Sequence, residues 1–291
     1  MNMDCGSLDF TVESPFSFAK HSSIGVGGNA NVAYYPNDET ELKDVISRLT
    51  AEGKDFYTLG NLTNVLPPDA NVEKAIIRTK RLKEIRVENN RLYVGAGVNS
   101  GEFLQACKHY GFCGAEFLTG IPCTMGGAVF MNAGAAGEYL APFIHSVKAF
   151  YKNREITLSA NDCRFSYKKS IFMQEKMCIL GVTLTLEEGT QTDIEQRIAY
   201  FKKRRSHLPT GKSMGCVFKN PNDTPAGRLI EGAGLKGMRY GGATVSTQHA
   251  NFIINDNNAT SADVQKLILV IKNAVFAQYK IRLEEEIRYI T

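Results

Sequence analysis

Gly114-Ala-Glu-Phe-Leu-Thr-Gly-Ile-Pro-Cys-Thr-Met-Gly-Gly-Ala-Val-Phe-Met-Asn-Ala-Gly134 is the stretch on which the reading of this chain turns. Seven glycines fall between positions 111 and 137, at 111, 114, 120, 126, 127, 134 and 137. Without a Cβ, glycine lets the backbone approach a ligand closely and enter turns closed to other residues. Any one of them alone reads as a tight turn between short strands. Their density suits backbone held against a ligand.

Around this stretch, strand-like and helix-like segments alternate. Asn31 to Tyr35 reads as a strand, Glu39 to Glu52 as a helix with apolar residues at Leu42, Val45, Ile46 and Leu49, and Asp55 to Leu59 as a second strand. Arg91 to Val94 reads as a strand leading into an amphipathic helix near Glu102 to Tyr110. Downstream, the pattern predicts a helix over Asp193 to Arg205, a Gly/Pro/Ser-rich loop over Ser206 to Gly215 and a strand over Cys216 to Lys219. A helical segment starts near Ala226, and strands follow at Ala243 to Val245 and Phe252 to Ile254. Ser261 is read as the N-cap of a long helix reaching Tyr279, and a strand-like tail runs from Glu286 to Ile290. Boundaries are placed near residues 80 and 205.

The 291 residues suffice for two or three domains, and 43% apolar against 22% charged residues describes an ordinary globular chain. The net charge is only +4. The one basic cluster, Lys202 to Arg205, reads as a solvated helix end rather than a nucleic-acid site. No segment approaches the roughly 18 apolar residues of a membrane span, and no secretory leader is legible, so a cytoplasmic protein without membrane insertion is expected. Seven cysteines without a CxxC pair argue against a disulfide framework and against a metal site, and most are expected to be buried, reduced thiols.

Phosphate-binding fingerprints are incomplete. Gly25, Gly27 and Ala30 have dinucleotide spacing but lead into a strand, and Gly95 and Gly97 lead into a helix with Ser100 at the third glycine position. Gly211-Lys212-Ser213 lacks the opening glycine of a P-loop, because Ser206 stands there. Isolated histidines, no HExxH and no GxSxG exclude the common zinc and serine hydrolase signatures. What remains is a set of glycine and asparagine turns suited to a long, phosphate-bearing cofactor. Composition alone does not say which.

His21-Ser-Ser-Ile-Gly-Val-Gly-Gly-Asn-Ala30, the glycine-dense stretch, Ala226-Gly-Arg-Leu-Ile-Glu-Gly-Ala-Gly-Leu-Lys-Gly237, Val245-Ser-Thr-Gln-His-Ala-Asn-Phe-Ile-Ile-Asn255 and the closing Leu283-Glu-Glu-Glu-Ile-Arg288 run in one order through the chain. Together they resemble the UDP-N-acetylenolpyruvoylglucosamine reductase family, in its shorter type without an inserted loop. The resemblance implies an α+β fold: a two-domain FAD-binding module of the vanillyl-alcohol oxidase type (1–80 and 81–204), then a C-terminal mixed α/β substrate domain (205–291) whose final strand returns toward the flavin. It further implies NADPH as hydride donor to FAD, a UDP-sugar substrate, and reduction of an enolpyruvyl ether to UDP-N-acetylmuramate for peptidoglycan synthesis. A monomer is expected rather than an obligate oligomer.

By motif position, the resemblance assigns flavin contacts to Gly60, Asn61, Thr63, Asn64, Gly120, Ile121, Pro122, Thr124, Gly126, Gly127, Asn132 and Gly134. Substrate contacts fall to Tyr167, Lys219 and Asn220. Catalysis falls to Lys168 and Glu286, stabilising an enolate, and to Cys216 as proton donor. Lys168 and Cys216 depart from the arginine and serine commoner in the family. Lysine keeps the charge without the planar two-pronged contact, whereas cysteine still offers a transferable proton. Lys169, if it alternates with Lys168 along a strand, points the other way. Leu62, Thr63 and Cys123 replace a usual glycine, serine and glycine. The competing expectations are a flavin oxidase of another alcohol or sugar acid, and a non-catalytic nucleotide-binding relative.

Overall fold

The computed structural model describes residues 10–221 and 224–291, and these divide into two compact units. One comprises Asn31–Gly60 and Lys74–Lys203, with the described residues up to Phe16. The other comprises Ser17–Ala30, Asn61–Glu73 and Arg204–Thr291. Cys5 lies outside the described residues. Cys107, Cys123, Cys163 and Cys178 are buried reduced thiols, and Cys113 and Cys216 are half-buried.

The first unit is built on a four-stranded and a five-stranded sheet, with two short two-stranded pairings beside them. Four strands lie in the order Thr11–Glu13, Ala33–Tyr35, Ala75–Arg78, Phe56–Leu59, the first pair antiparallel and the others parallel. Helix Glu39–Ala51 covers this sheet, because Leu42, Val45, Ile46 and Leu49 form one buried stripe that packs with Ala75, Ile77 and Leu82. Its start is set by Asp38, whose carboxylate accepts from the Glu41 N–H at 2.9 Å.

Five antiparallel strands form the second sheet, in the order Arg154–Ser159, Ile144–Tyr151, Cys178–Leu184, Arg91–Gly95, Ile85–Glu88. Helices Ser100–Tyr110 and Met125–Met131 contribute Phe103, Leu104, Met125 and Val129 to its core. Asn99 and Glu102 close a reciprocal capping box on the first of these helices. Gly95 and Gly97 serve packing: a Cβ at either would run into the backbone of residues 79–84.

In the second unit, four antiparallel strands lie in the order Ser213–Cys216, Phe252–Asn255, Ala243–Val245, Arg239–Tyr240. Helix Ser261–Tyr279 packs on them through Val264, Leu267, Ile268, Ile271 and Val275. Its N-cap is Thr260, not Ser261: the Thr260 hydroxyl accepts from the Asp263 N–H, while the Ser261 and Ala262 N–H groups donate to the Asp69 carboxylate at 2.7 and 2.9 Å. A carboxylate supplied from 192 residues upstream satisfies that first turn, a partner no local motif reveals. Strand Val65–Leu66 runs parallel to Arg288–Tyr289, so the C-terminal tail returns to the segment that follows Asn64.

Candidate active site

In the first unit the glycine-dense stretch is laid along the 96–99 segment. The Met125 and Gly126 N–H groups donate to the carbonyls of Val98 and Ala96 at 2.8 and 2.9 Å, and Gly126 lies so close to Ala96 that a Cβ there would sit 2.9 Å from the alanine methyl. The Thr124 hydroxyl caps helix Met125–Met131 by accepting from the Gly127 N–H at 3.3 Å. Gly60 abuts this cap: a Cβ on Gly60 would overlap the Thr124 hydroxyl and lie 3.2 Å from its Cγ2. Gly120, with φ of +73°, begins the turn through Ile121 and Pro122, and all three line a mostly apolar cavity of about 380 Å³ that also takes in Leu104, Thr119 and Ile198. Thr119 is buried, and its hydroxyl has no hydrogen-bond partner among the described residues.

Asn132 and Gly134 do different work. Asn132 is buried in the left-handed region (φ +43°), where its Nδ2 donates to the Ser166 carbonyl at 2.9 Å and its Oδ1 accepts from the Ala141 N–H at 3.1 Å. Both ends of that amide are spent inside the protein. Gly134 pairs with Tyr139 in a two-strand hairpin and leaves no room for a Cβ against that ring.

Those Asn132 bonds position the catalytic candidate Lys168. Ser166 and Lys169 exchange backbone hydrogen bonds at 3.1 and 3.2 Å, which makes Tyr167 and Lys168 the two central residues of a tight turn, with Lys168 at φ +54°. The expectation of a strand alternating Lys168 with Lys169 is therefore corrected. The Ser170 hydroxyl anchors the far side of the turn by donating to the Phe130 carbonyl at 2.6 Å. Tyr167 is exposed and meets the Tyr139 ring edge-on at 6.1 Å.

The second unit carries Cys216, Lys219, Asn220 and Glu286 with Asn61, Thr63 and Asn64. The expected strand over Cys216 to Lys219 is shifted: pairing covers Ser213–Cys216, with an irregularity between Ser213 and Cys216 and Gly215 at φ +74°. Beyond Cys216, side chains replace the ladder. The Phe218 N–H donates to Asn251 Oδ1 at 2.9 Å and the Asn251 Nδ2 donates back to the Phe218 carbonyl at 2.8 Å, so a buried amide imitates a neighbouring strand. On the opposite edge the tail binds the same segment: the Glu286 N–H donates to the Val217 carbonyl at 2.8 Å and the Lys219 N–H to the Glu284 carbonyl at 2.9 Å. Glu286 is thereby set against Val217, the neighbour of Cys216 in the chain.

Asn64 completes this strip, its Nδ2 donating to the Glu286 carbonyl at 3.2 Å and its own carbonyl accepting from the Arg288 N–H at 2.9 Å. Leu62, at φ +52°, occupies the left-handed conformation that glycine would take without strain, which gives the glycine-to-leucine departure its physical cost. Lys219 is mostly buried and its ammonium pairs with the exposed Glu284 carboxylate. Asn220 Oδ1 accepts from the Ala226 N–H at 3.0 Å.

Sequence reasoning missed Arg78. It ends the wholly buried strand Ala75–Arg78, is 4% exposed, and its Nη2 donates to the Gly60 carbonyl at 2.9 Å. Burial pushes its pKa down. An arginine closing the apolar run Ala75-Ile-Ile was the available signal.

Residues 30–157 match the model of an FAD binding domain, and glycines without room for a Cβ beside a buried arginine suit the approach of an anionic dinucleotide. The chain is thus an FAD-dependent oxidoreductase. Residues 206–290 match the model of the UDP-N-acetylenolpyruvoylglucosamine reductase C-terminal domain. A reductase of that name from Caldanaerobacter subterraneus subsp. tengcongensis is 34% identical over 93% of this chain and 91% of its own length. One from Thermotoga sp. is 36% identical over 92% and 89%. The crystal structure of the Thermus caldophilus reductase superposes with a TM-score of 0.84 at 31% identity, covering 97% of this chain and all of that one. This chain belongs to the UDP-N-acetylenolpyruvoylglucosamine reductase family.

Proposed function

We propose that the chain reduces the enolpyruvyl ether of UDP-N-acetylenolpyruvoylglucosamine to the lactyl ether of UDP-N-acetylmuramate in the cytoplasm, with NADPH as the electron source and Cys216 as the proton donor. FAD held by the glycine and asparagine turns would supply the hydride chemistry for the terminal carbon of the enolpyruvyl group. The residues of the chain then have two tasks. Negative charge spreads into an enolate that includes the substrate carboxylate, and Lys168, at the tip of its braced turn, offsets it. The adjacent carbon needs a proton, which the Cys216 thiol gives. Flavin binding falls to residues of the 1–204 region with the loop at Gly60 to Asn64, and substrate binding to 205–291.

The observation that carries this reading is the strip formed by Ser213–Cys216, the Asn251 amide and the 284–286 tail. Its backbone pairing sets Glu286 against Val217, the residue that follows Cys216, and Gly215 lies in the left-handed region just before it. Such fixing by backbone hydrogen bonds is what a proton donor needs to meet one carbon of a bound substrate. Lys219, already partly desolvated, suits a diphosphate once Glu284 yields it.

The test is anaerobic stopped-flow in two halves. Flavin reduction by NADPH is followed first, and reoxidation on adding UDP-N-acetylenolpyruvoylglucosamine second. Cys216→Ala should leave the first half at the wild-type rate and slow the second by about 10²- to 10⁴-fold, while Cys216→Ser retains more of it. Equal loss in both halves would remove Cys216 from its role. A wild-type flavin that stays reduced until oxygen enters would favour an oxidase.

A further inference from the structure

Arg78 sits at the C-terminal end of the central strand of three parallel ones. Register sets it beside Leu59, and one step beyond the Tyr34–Ile77 pair, so Tyr35, Arg78 and Gly60 share that end of the sheet. Ligands of open sheets bind at the carboxyl ends of parallel strands. The guanidinium lies against the rings of Phe16 and Tyr35, 5.5 and 5.8 Å from their centroids. Apart from Nη2 on the Gly60 carbonyl, its nitrogens Nε and Nη1 are buried with no hydrogen-bond partner among the described residues. The carboxylate whose charge reaches it, Glu13, accepts a hydrogen bond from the Tyr35 hydroxyl, and none from the guanidinium.

Arginine stays charged at any working pH, and burying a charge without a counter-ion is costly. Ring faces and one carbonyl offset part of that cost. We infer that the missing counter-charge is the diphosphate of bound FAD, and that Arg78 is a positioning residue for it. This rests on the flavin-binding reading of the site. The charge acts through the Gly60 peptide, since Nε and Nη1 are sealed from solvent. A trans peptide sets its N–H antiparallel to its carbonyl. Holding the Gly60 carbonyl against Arg78 therefore aims the next N–H of the turn away from the guanidinium, and polarises it as a donor to an anion. Gly60 is also packed against Thr124, whose hydroxyl a Cβ on Gly60 would overlap. Lys80 and Arg81 crowd the same Tyr35 ring, at 5.0 and 5.7 Å, so this end of the sheet is positive beyond Arg78 itself.

The experiment is FAD titration of the full-length chain after flavin removal, read by flavin fluorescence, with the urea midpoint of the flavin-free protein measured alongside. Arg78→Met should bind FAD on the order of tenfold or more weakly, yet keep or raise the urea midpoint, because an apolar isostere replaces an unpaired buried charge. Arg78→Lys retains charge and should fall between. Arg78→Gln reports the same loss of charge if the methionine variant does not fold. Wild-type affinity in a folded uncharged variant overturns the inference, as does equal loss in Arg78→Lys and Arg78→Met, which would make shape rather than charge the contribution. A wild-type chain that does not bind FAD would overturn the flavin assignment and this inference together.

Discussion

Gly60→Ala tests the packing on which the flavin-site geometry rests. A Cβ at position 60 would overlap the Thr124 hydroxyl and stand 3.2 and 3.3 Å from Thr124 Cγ2 and Cβ. Neither partner yields cheaply. Gly60 is held by Arg78 through its carbonyl, and Thr124 is buried and caps Met125–Met131. Overpacking by one methyl costs about 1–3 kcal/mol, and pushing Thr124 off its cap adds about 0.5–2 kcal/mol. The sum for Gly60→Ala is about 1.5–5 kcal/mol, near 3 kcal/mol at the middle of these ranges. Thr124→Ala alone loses the cap, about 1 kcal/mol. In that background the two nearest obstacles to the new methyl are gone and the Cβ of residue 124 stands 3.3 Å away, so its added cost should fall below about 1 kcal/mol. At the middle of these ranges the singles sum to about 4 kcal/mol and the double variant costs about 2, so a double-mutant cycle should isolate a coupling of about 2 kcal/mol. The assay is urea unfolding of the full-length, flavin-free chain followed by far-UV circular dichroism, since the chain has no tryptophan. Additivity within about 0.5 kcal/mol, or a Gly60→Ala protein as stable as wild type, would refute the argument.

Two further outcomes follow from buried polar contacts. Burial and the hydrogen bond to Glu13 raise the Tyr35 pKa to about 12. The unfolded chain therefore loses this proton near the ordinary tyrosine value while the folded chain keeps it. The resulting stability is fully present below about pH 10 and drains away as pH rises toward about 12. Urea midpoints of wild type minus Tyr35→Phe, taken from pH 9 to 12, should show that advantage shrinking, and a difference independent of pH would contradict it. Asn132→Ala should cost about 2–4 kcal/mol, from two hydrogen bonds of about 1 kcal/mol each and the left-handed backbone. Asn132→Gly relieves only the backbone part and should be about 1 kcal/mol milder in the same denaturation assay.

Glu39–Ala51 was legible because a 3.6-residue stripe and an Asp cap are local and agree with one another. The long helix ending at Tyr279 was legible for the same reason, yet its cap was misplaced by one residue. Thr260 and Ser261 are both good caps in isolation, and Asp69 from a distant loop decides between their N–H groups. The flavin and substrate motifs were legible by resemblance, because their order and spacing survive in the chain. Position along a motif says nothing of how a side chain is spent, however. Asn132 turned out to brace the Lys168 turn, and Lys219 to pair with Glu284.

By itself, then, the sequence determined the amphipathic helices, the glycine positions where backbone must run close, and the family whose motifs it carries, since each depends on a residue and its near neighbours. Only the tertiary structure decided that strands 144–151, 154–159 and 178–184 make the larger sheet, that Lys168 tops a turn, and that an Asn251 amide and the C-terminal tail clamp the segment after Cys216. It alone exposed the uncompensated charge of Arg78. Sheet partners, buried amides and unpaired charges are settled by groups many residues apart, whose meeting depends on long-range packing rather than on any local preference.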